Sequence, residues 1–181
     1  MGEPQNLSTR FWENKTLLDD LLRIGLRLVI CGTAAGERSA KLGAYYAGPG
    51  NKFWRTLHDV GLTPDRALIP SEFRELLSYS IGLPDLAKGV AGMDHTLMRH
   101  SFDPARFRLA MGKFAPRALA FNGKKAASVY LARPTKLIGY GKQVERIGET
   151  ALYVLPSTSG AASSTWSIEP WRILAADVAL A

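Results

Sequence analysis

Cysteine and histidine are nearly absent from this chain: Cys31 stands alone, and the histidines number three, His58, His95 and His100. One cysteine builds neither a disulfide framework nor a cysteine-rich metal site, and the histidines lack zinc-like spacing, so no metal and no cofactor is expected. Cys31 reads as a small core hydrophobe. Acidic residues are scarce as well, 16 against 23 Lys and Arg, and they form no cluster suited to a divalent cation, which argues against a metal-dependent hydrolase of small nucleotides. No apolar run approaches the roughly 20 residues that span a bilayer. The first twenty residues carry Glu3, Arg10, Glu13 and Lys15 and no apolar core, so they do not read as a secretory signal. Internal repeats, low-complexity segments and long linkers are missing too.

What is present suits one domain spanning residues 1–181, with 46% hydrophobic residues to fill a core. The formal net charge of +7 marks a nucleic-acid or anionic-surface partner. The basic residues, among them Arg38, Lys52, Lys113, Lys124 and Lys142, are spread along the chain, which favours a folded basic face over a disordered arm.

Leu28 to Cys31 is a short, wholly apolar run that reads as a strand buried on both faces. Ala118 to Phe121 and Ala151 to Leu155 read the same way. Asn6 to Arg23 carries leucines at helical spacing and predicts a leading helix. Phe53 to Val60 predicts a helix with Asn51 as its cap and Gly61 at its end. Pro70 to Leu77 opens another helix on a first-turn proline. Further helices are expected from Asp103-Pro104 to Phe114, from the Asn122-Gly123-Lys124-Lys125 turn to Leu131, and through Ala179. Strand, glycine turn and helix recur, which predicts a three-layer α/β/α domain with a central, mostly parallel sheet.

Three loops rich in Gly, Ser, Thr or Asn leave these strands at one sheet edge, beginning at Gly32, Asn122 and Pro156. Open α/β sheets bind ligands at that edge. Small polar residues also make tight connections without binding anything, but three such loops together suit phosphate contacts. Asn122 to Lys125 adds a helix N-terminus and two cations.

The chain resembles the uracil-DNA glycosylase superfamily, most closely its mismatch-specific uracil/thymine branch, from about Arg27 to Val178. Gly32-Thr-Ala-Ala-Gly36 is similar to the family's Gly-x-Asn-Pro-Gly loop, and Gly48 to Trp54 to its Gly-Pro-Gly-Asn-x-Phe-Trp segment. Phe121 to Lys124 matches a Phe-Asn-Gly-Lys turn. Gly139 to Gln143 and Val154 to Gly160 match a glycine-rich Gly-Lys-Gln segment and a Pro-Ser loop. Each match is weak alone, and their order and spacing make them specific together. The resemblance implies a pocket for a nucleotide flipped out of the duplex. Tyr46 matches the aromatic that stacks on the base, and backbone groups of Thr33 and Tyr46 match those that bond the uracil edge. Ser157, Thr158, Ser159 and Gly160 match the loop that grips phosphates, with Lys52 and Lys124 as further DNA contacts.

The chain departs from that pattern at Ala34, which aligns with the family's catalytic Asn and cannot orient a water. Two residues are candidates to replace it. Asn51 falls in a Tyr-Tyr-Ala-x-Pro-x-Asn-x-Phe-Trp segment similar to that of a branch lacking the first-loop Asn or Asp; it also reads as a plain helix cap. Asp85, in Ile81-Gly-Leu-Pro-Asp-Leu86, aligns with a family position near the base. It could orient water or accept the N3 proton of uracil; it also reads as a turn aspartate after Pro84. Ala34 and Ser157 fall among the base-binding positions. Glu37 is a weaker third option, and Asp94 and His95 read as loop residues. Ala161 stands where the family carries a bulky wedge, which predicts weak reliance on the orphaned partner base.

The resemblance thus implies a monofunctional DNA-repair glycosylase that hydrolyses uracil from double- or single-stranded DNA and releases free uracil. The alternative is a noncatalytic reader of uracil-containing or abasic DNA. A monomer in the cytoplasm, on the nucleoid if bacterial, is expected.

Overall fold

The computed structural model describes residues 17–179. Its sheet has five strands: β1 (Leu28–Cys31), β2 (Ile81–Gly82), β3 (Ala118–Asn122), β4 (Gly141–Ile147) and β5 (Thr150–Leu155), in the order β2-β1-β3-β5-β4. β1 pairs in parallel with both β2 and β3, and β3 with β5, while the edge strand β4 runs antiparallel to β5. All four residues of β1 and all five of β3 are buried, as continuous apolar runs in a parallel sheet require.

Strand side chains alternate between faces, and two cores follow. Leu28, Ile30, Ala118, Ala120, Tyr153 and Leu155 face one way. Against them pack Phe53, Trp54 and Leu57 of α2 (Phe53–Asp59) and Trp171, Leu174 and Val178 of α5 (Glu169–Ala179). Val29, Cys31, Leu119, Phe121, Leu152 and Val154 face the other way, against Phe107 and Met111 of α3 (Pro104–Phe114) and Ala126, Ala127 and Tyr130 of α4 (Lys124–Leu131). A short helix, α1 (Glu37–Leu42), follows the first strand. The three-layer α/β/α architecture is the one the sequence pattern predicts.

One expectation is corrected. Of the leading helix, Leu17–Arg23 is not helical: Leu21 pairs antiparallel with Leu83, donating to its carbonyl at 2.9 Å and accepting from its amide at 3.0 Å. The rest of that expected helix lies outside the described residues. Its leucines match a helical period, but bonding to the chain beyond β2 satisfies this backbone in extended form. Pro70–Tyr79 is a 3-10 helix, opened by Glu72, whose side chain takes the Ile69 amide at 3.0 Å. Strand β4 was not foreseen, because on this edge strand exposed Lys142, Val144 and Arg146 alternate with half-buried residues and leave no apolar period.

Candidate active site

The carboxyl ends of β1, β2, β3 and β5 open into one cleft of about 680 Å³, within the range of small-molecule sites. Thr33, Ala34, Tyr46, Asn51 and Asp85 line it, as do Lys124, Ser157, Ser159 and Ala161. Lys52, Thr158 and Gly160 do not. Glu37, Asp94 and His95 also border the cleft, so the acid and imidazole read as loop residues stand exposed on its wall.

Pairing between β1 and β2 continues past their ends and sets Asp85 beside Gly32. Gly32 donates to the Pro84 carbonyl at 3.2 Å, Leu86 donates to the Gly32 carbonyl at 3.2 Å, and Ala87 donates to that of Thr33 at 2.9 Å. A Cβ on Gly32 would stand 2.5 Å from Asp85 Oδ1 and 3.3 Å from the Tyr46 hydroxyl. Only glycine leaves that space open. Asp85 is 3% exposed, and burial raises its carboxyl from 3.8 to about 7, with Lys88 and Arg106 opposing the shift and Asp20 adding to it.

Behind Asp85 runs a tether. Asp20 pairs with Lys88 at 2.5 Å and with Arg106 at 3.0 Å, and Arg106 also donates to the Asp85 carbonyl at 3.0 Å. Lys88 donates to the Leu18 carbonyl at 3.0 Å. The extended N-terminal segment is thereby tied to α3 and to the loop that carries Asp85.

Tyr46 has a left-handed backbone, φ 53°. Its ring stacks on Phe53, with centroids 3.8 Å apart and planes 21° apart, so one face is occupied and one remains for a flat ligand. Its hydroxyl is buried without a hydrogen-bond partner among the described residues. Burial, and next the neighbouring Asp85, push this phenol well above its ordinary value.

Asn51 is half-buried at the cleft wall, and its Oδ1 accepts the Phe53 amide at 3.0 Å. The bond caps α2 from one residue farther back than expected, since Lys52 holds the cap position, and it fixes the amide plane. Asn51 is therefore both a cap and a cleft residue.

The serine loop departs most from expectation. Thr158 is fully buried. Its hydroxyl accepts from Asn122 Nδ2 at 2.9 Å, its amide donates to Asn122 Oδ1 at 3.0 Å, and its carbonyl accepts the Lys52 amide at 2.9 Å. Its polar groups face inward, so Thr158 joins β3, β5 and α2 rather than offering a hydroxyl to a phosphate. Asn122, read from the sequence only as a turn residue, is its partner, a long-range pairing that composition does not reveal. Ser157 Oγ and Ser159 Oγ accept the amides of Ser159 and Ala161, each at 3.3 Å. Lys52 Nζ donates to Ser163 at 2.9 Å and lies 5.5 Å from the centre of the Trp166 ring, which steadies the 3-10 turn Gly160–Thr165. Gly160 packs on the Gly48-Pro-Gly50 turn, where a Cβ would come 3.3 Å from the Pro49 carbonyl. Ala161 is exposed beyond it.

At the opposite rim, α4 begins at Lys124 with its amide ends toward the cleft, and Lys124 Nζ lies 4.5 Å from the centre of the Tyr140 ring. A helix N-terminus beside two lysines suits an anion. Among the described residues no group of three or more acidic, histidine or cysteine side chains could hold a metal, and no helix is long and apolar enough to cross a membrane.

A solution NMR structure of a candidate uracil DNA glycosylase from Methanosarcina acetivorans superposes with a TM-score of 0.64 at 21% identity, covering 90% of this chain and 96% of that one; the likeness is one of fold. The model of the uracil DNA glycosylase superfamily matches residues 20–176. With the match spanning every strand and all the cleft loops, the chain belongs to the uracil DNA glycosylase superfamily, a family of DNA-repair hydrolases.

Proposed function

We propose that this protein is a monofunctional uracil-DNA glycosylase, which draws a deoxyuridine out of the base stack into the cleft and hydrolyses the bond between uracil N1 and C1′. The observation that supports the reading is the difference in burial along the cleft wall: Asp85 is 3% exposed and Asn51 is half-buried, and the reading sets the base against Asp85 and the sugar beside Asn51.

The free face of Tyr46 receives the base; stacking on an aromatic contributes about 1–3 kcal/mol. A protonated Asp85 offers one O–H donor and one carbonyl acceptor, the complement of uracil O4 and N3–H. Ionised, it offers acceptors only and repels O4. Asn51, its amide held by Phe53, keeps a free Oδ1 lone pair and its Nδ2 hydrogens to hold a water against C1′. That water's oxygen bonds to C1′ as the C1′–N1 bond breaks. Its proton passes to solvent, and the uracil anion takes one from solvent, leaving an abasic site. Backbone amides around Thr33 and Tyr46 meet the charge that develops on the leaving base, a stabilisation that needs no strong base. Ala34 therefore does not abolish chemistry. Ser157, Ser159, Gly160, Lys124 and the N-terminus of α4 hold the flanking phosphates, and no lysine serves as a Schiff-base nucleophile.

The test uses a labelled oligonucleotide with one uracil, treated with protein and then alkali. Asn51→Ala is expected to lose at least a hundredfold in cleavage while still binding. Asp85→Ala is expected to lose uracil-selective binding as well. Tight uracil-dependent binding by the unaltered protein with no cleavage would instead make it a reader, the role that Ala34 alone would suggest.

A further inference from the structure

We propose that the Tyr46 hydroxyl is a specificity-determining group: it donates to Asp85 Oδ1 and so fixes which carboxyl oxygen keeps the proton. The inference deepens the glycosylase reading and rests on it.

The Tyr46 hydroxyl is sealed from solvent, no bond that it donates is found among the described residues, and its ring stacks on Phe53 at 3.8 Å. Buried donors find acceptors, and few remain nearby. Asn122 gives one Nδ2 hydrogen and its Oδ1 to Thr158. What it offers the Tyr46 oxygen is an N–H, which favours the phenolate and leaves the Tyr46 hydrogen without an acceptor. The neighbouring Tyr45 hydroxyl donates away, to the Asp19 carbonyl at 3.1 Å. The open space is the one over Gly32, which Asp85 Oδ1 and the Tyr46 hydroxyl both border, 2.5 and 3.3 Å from a single point.

Among the described residues no side chain donates a hydrogen bond to the Asp85 carboxyl. The charged and titratable groups that face it are Asp20 from the N-terminal segment, Lys88 from its own loop, Arg106 from α3, Cys31 from β1, and Tyr45 and Tyr46 from the loop before α2. Lys88 and Arg106 are both paired with Asp20 and give further donors to backbone carbonyls. Neither bonds to the Asp85 carboxyl oxygens.

The consequence lies in base choice. A carboxylic acid has two equivalent oxygens, so a free one can meet uracil O4 and N3–H and, with its proton moved across, cytosine N3 and the cytosine amino group. A donor on Oδ1 makes that oxygen the acceptor and leaves the proton on Oδ2. The edge then matches uracil and opposes cytosine, a discrimination that comes from leaving the wrong base's polar groups unpaired. Phenylalanine at position 46 would stack equally well and leave the proton free to move.

Tyr46→Phe keeps the ring and removes the donor. In the Asn51→Ala background, whose binding is read without turnover, Tyr46→Phe is expected to lower the ratio of affinities for uracil- and cytosine-containing single strands by about tenfold. With Asn51 intact, the alkaline loss of uracil excision is expected to move upward by about one pH unit, because a donor to the carboxyl favours its ionised form. In an Asp85→Asn background, the same change is expected to leave the pH profile where it was. An unmoved alkaline limb together with an unchanged affinity ratio would overturn the proposal alone. Absence of uracil release by the unaltered protein at any pH would overturn the glycosylase reading and this proposal with it.

Discussion

Burial keeps the Asp85 carboxyl protonated to about pH 7, whereas an aspartate in an unfolded chain ionises near 3.9. Between those values the folded state binds more protons, so the stability tied to this group is greatest below the unfolded value and falls as pH rises to about 7, beyond which the loss is constant. That loss is about a few kcal/mol. Asp85→Asn is therefore expected to raise the thermal midpoint by several degrees more at pH 8 than at pH 4, measured by calorimetry. In the proposed glycosylase the same protonation governs how the base is held. Excision is expected to be level below about pH 6 and to fall about tenfold per unit above about pH 7, where the Asp85 carboxyl ionises, with Asp85→Asn flat across that span. Of these residues, Asp85 and Asn51 were legible in the sequence because each sits in a short motif beside a turn or a helix start. Thr158 was not, because whether a hydroxyl in a serine-rich loop points outward depends on Asn122, 36 residues away.

The parallel strands β1, β3 and β5 could be read directly, since a strand buried on both faces is a bare apolar run. β2, two residues long, and β4, with Val144 exposed on the sheet edge, carry no such signal. Leu17 to Arg23 misled for a physical reason: leucine spacing fits a helix, but the partner is the chain at Leu83. In the proposed function the turn Gly160–Thr165 lies where DNA would be met. Pulling a base from a duplex leaves a gap between its neighbours, which apolar wedges commonly fill, and exposed Ala161 fills little of it. Uracil opposite adenine, opposite guanine and in single strands is expected to be excised at rates within about tenfold. Ala161→Leu is expected to speed excision from duplexes and leave single strands unaffected. A strong preference for mismatched uracil in the unaltered protein would contradict this account of the loop.

Across the whole molecule the excess of seven positive charges and the lysine-flanked rim of the cleft imply binding dominated by phosphate contacts. Each neutralised phosphate releases counterions, so affinity for duplex DNA is expected to fall by about tenfold or more between 50 and 200 mM salt. Lys124→Ala is expected to weaken binding to all sequences alike and to flatten that slope. The fold places strand-end loops, a stacking tyrosine and a buried acid in one cleft, and all of this serves a single chemical claim. It is tested most directly by incubating excess unaltered protein with a duplex carrying one uracil and quantifying the free base by chromatography. The account predicts one uracil released per site, with an alkali-labile strand left behind. Stable binding of the uracil duplex with no free base would contradict it.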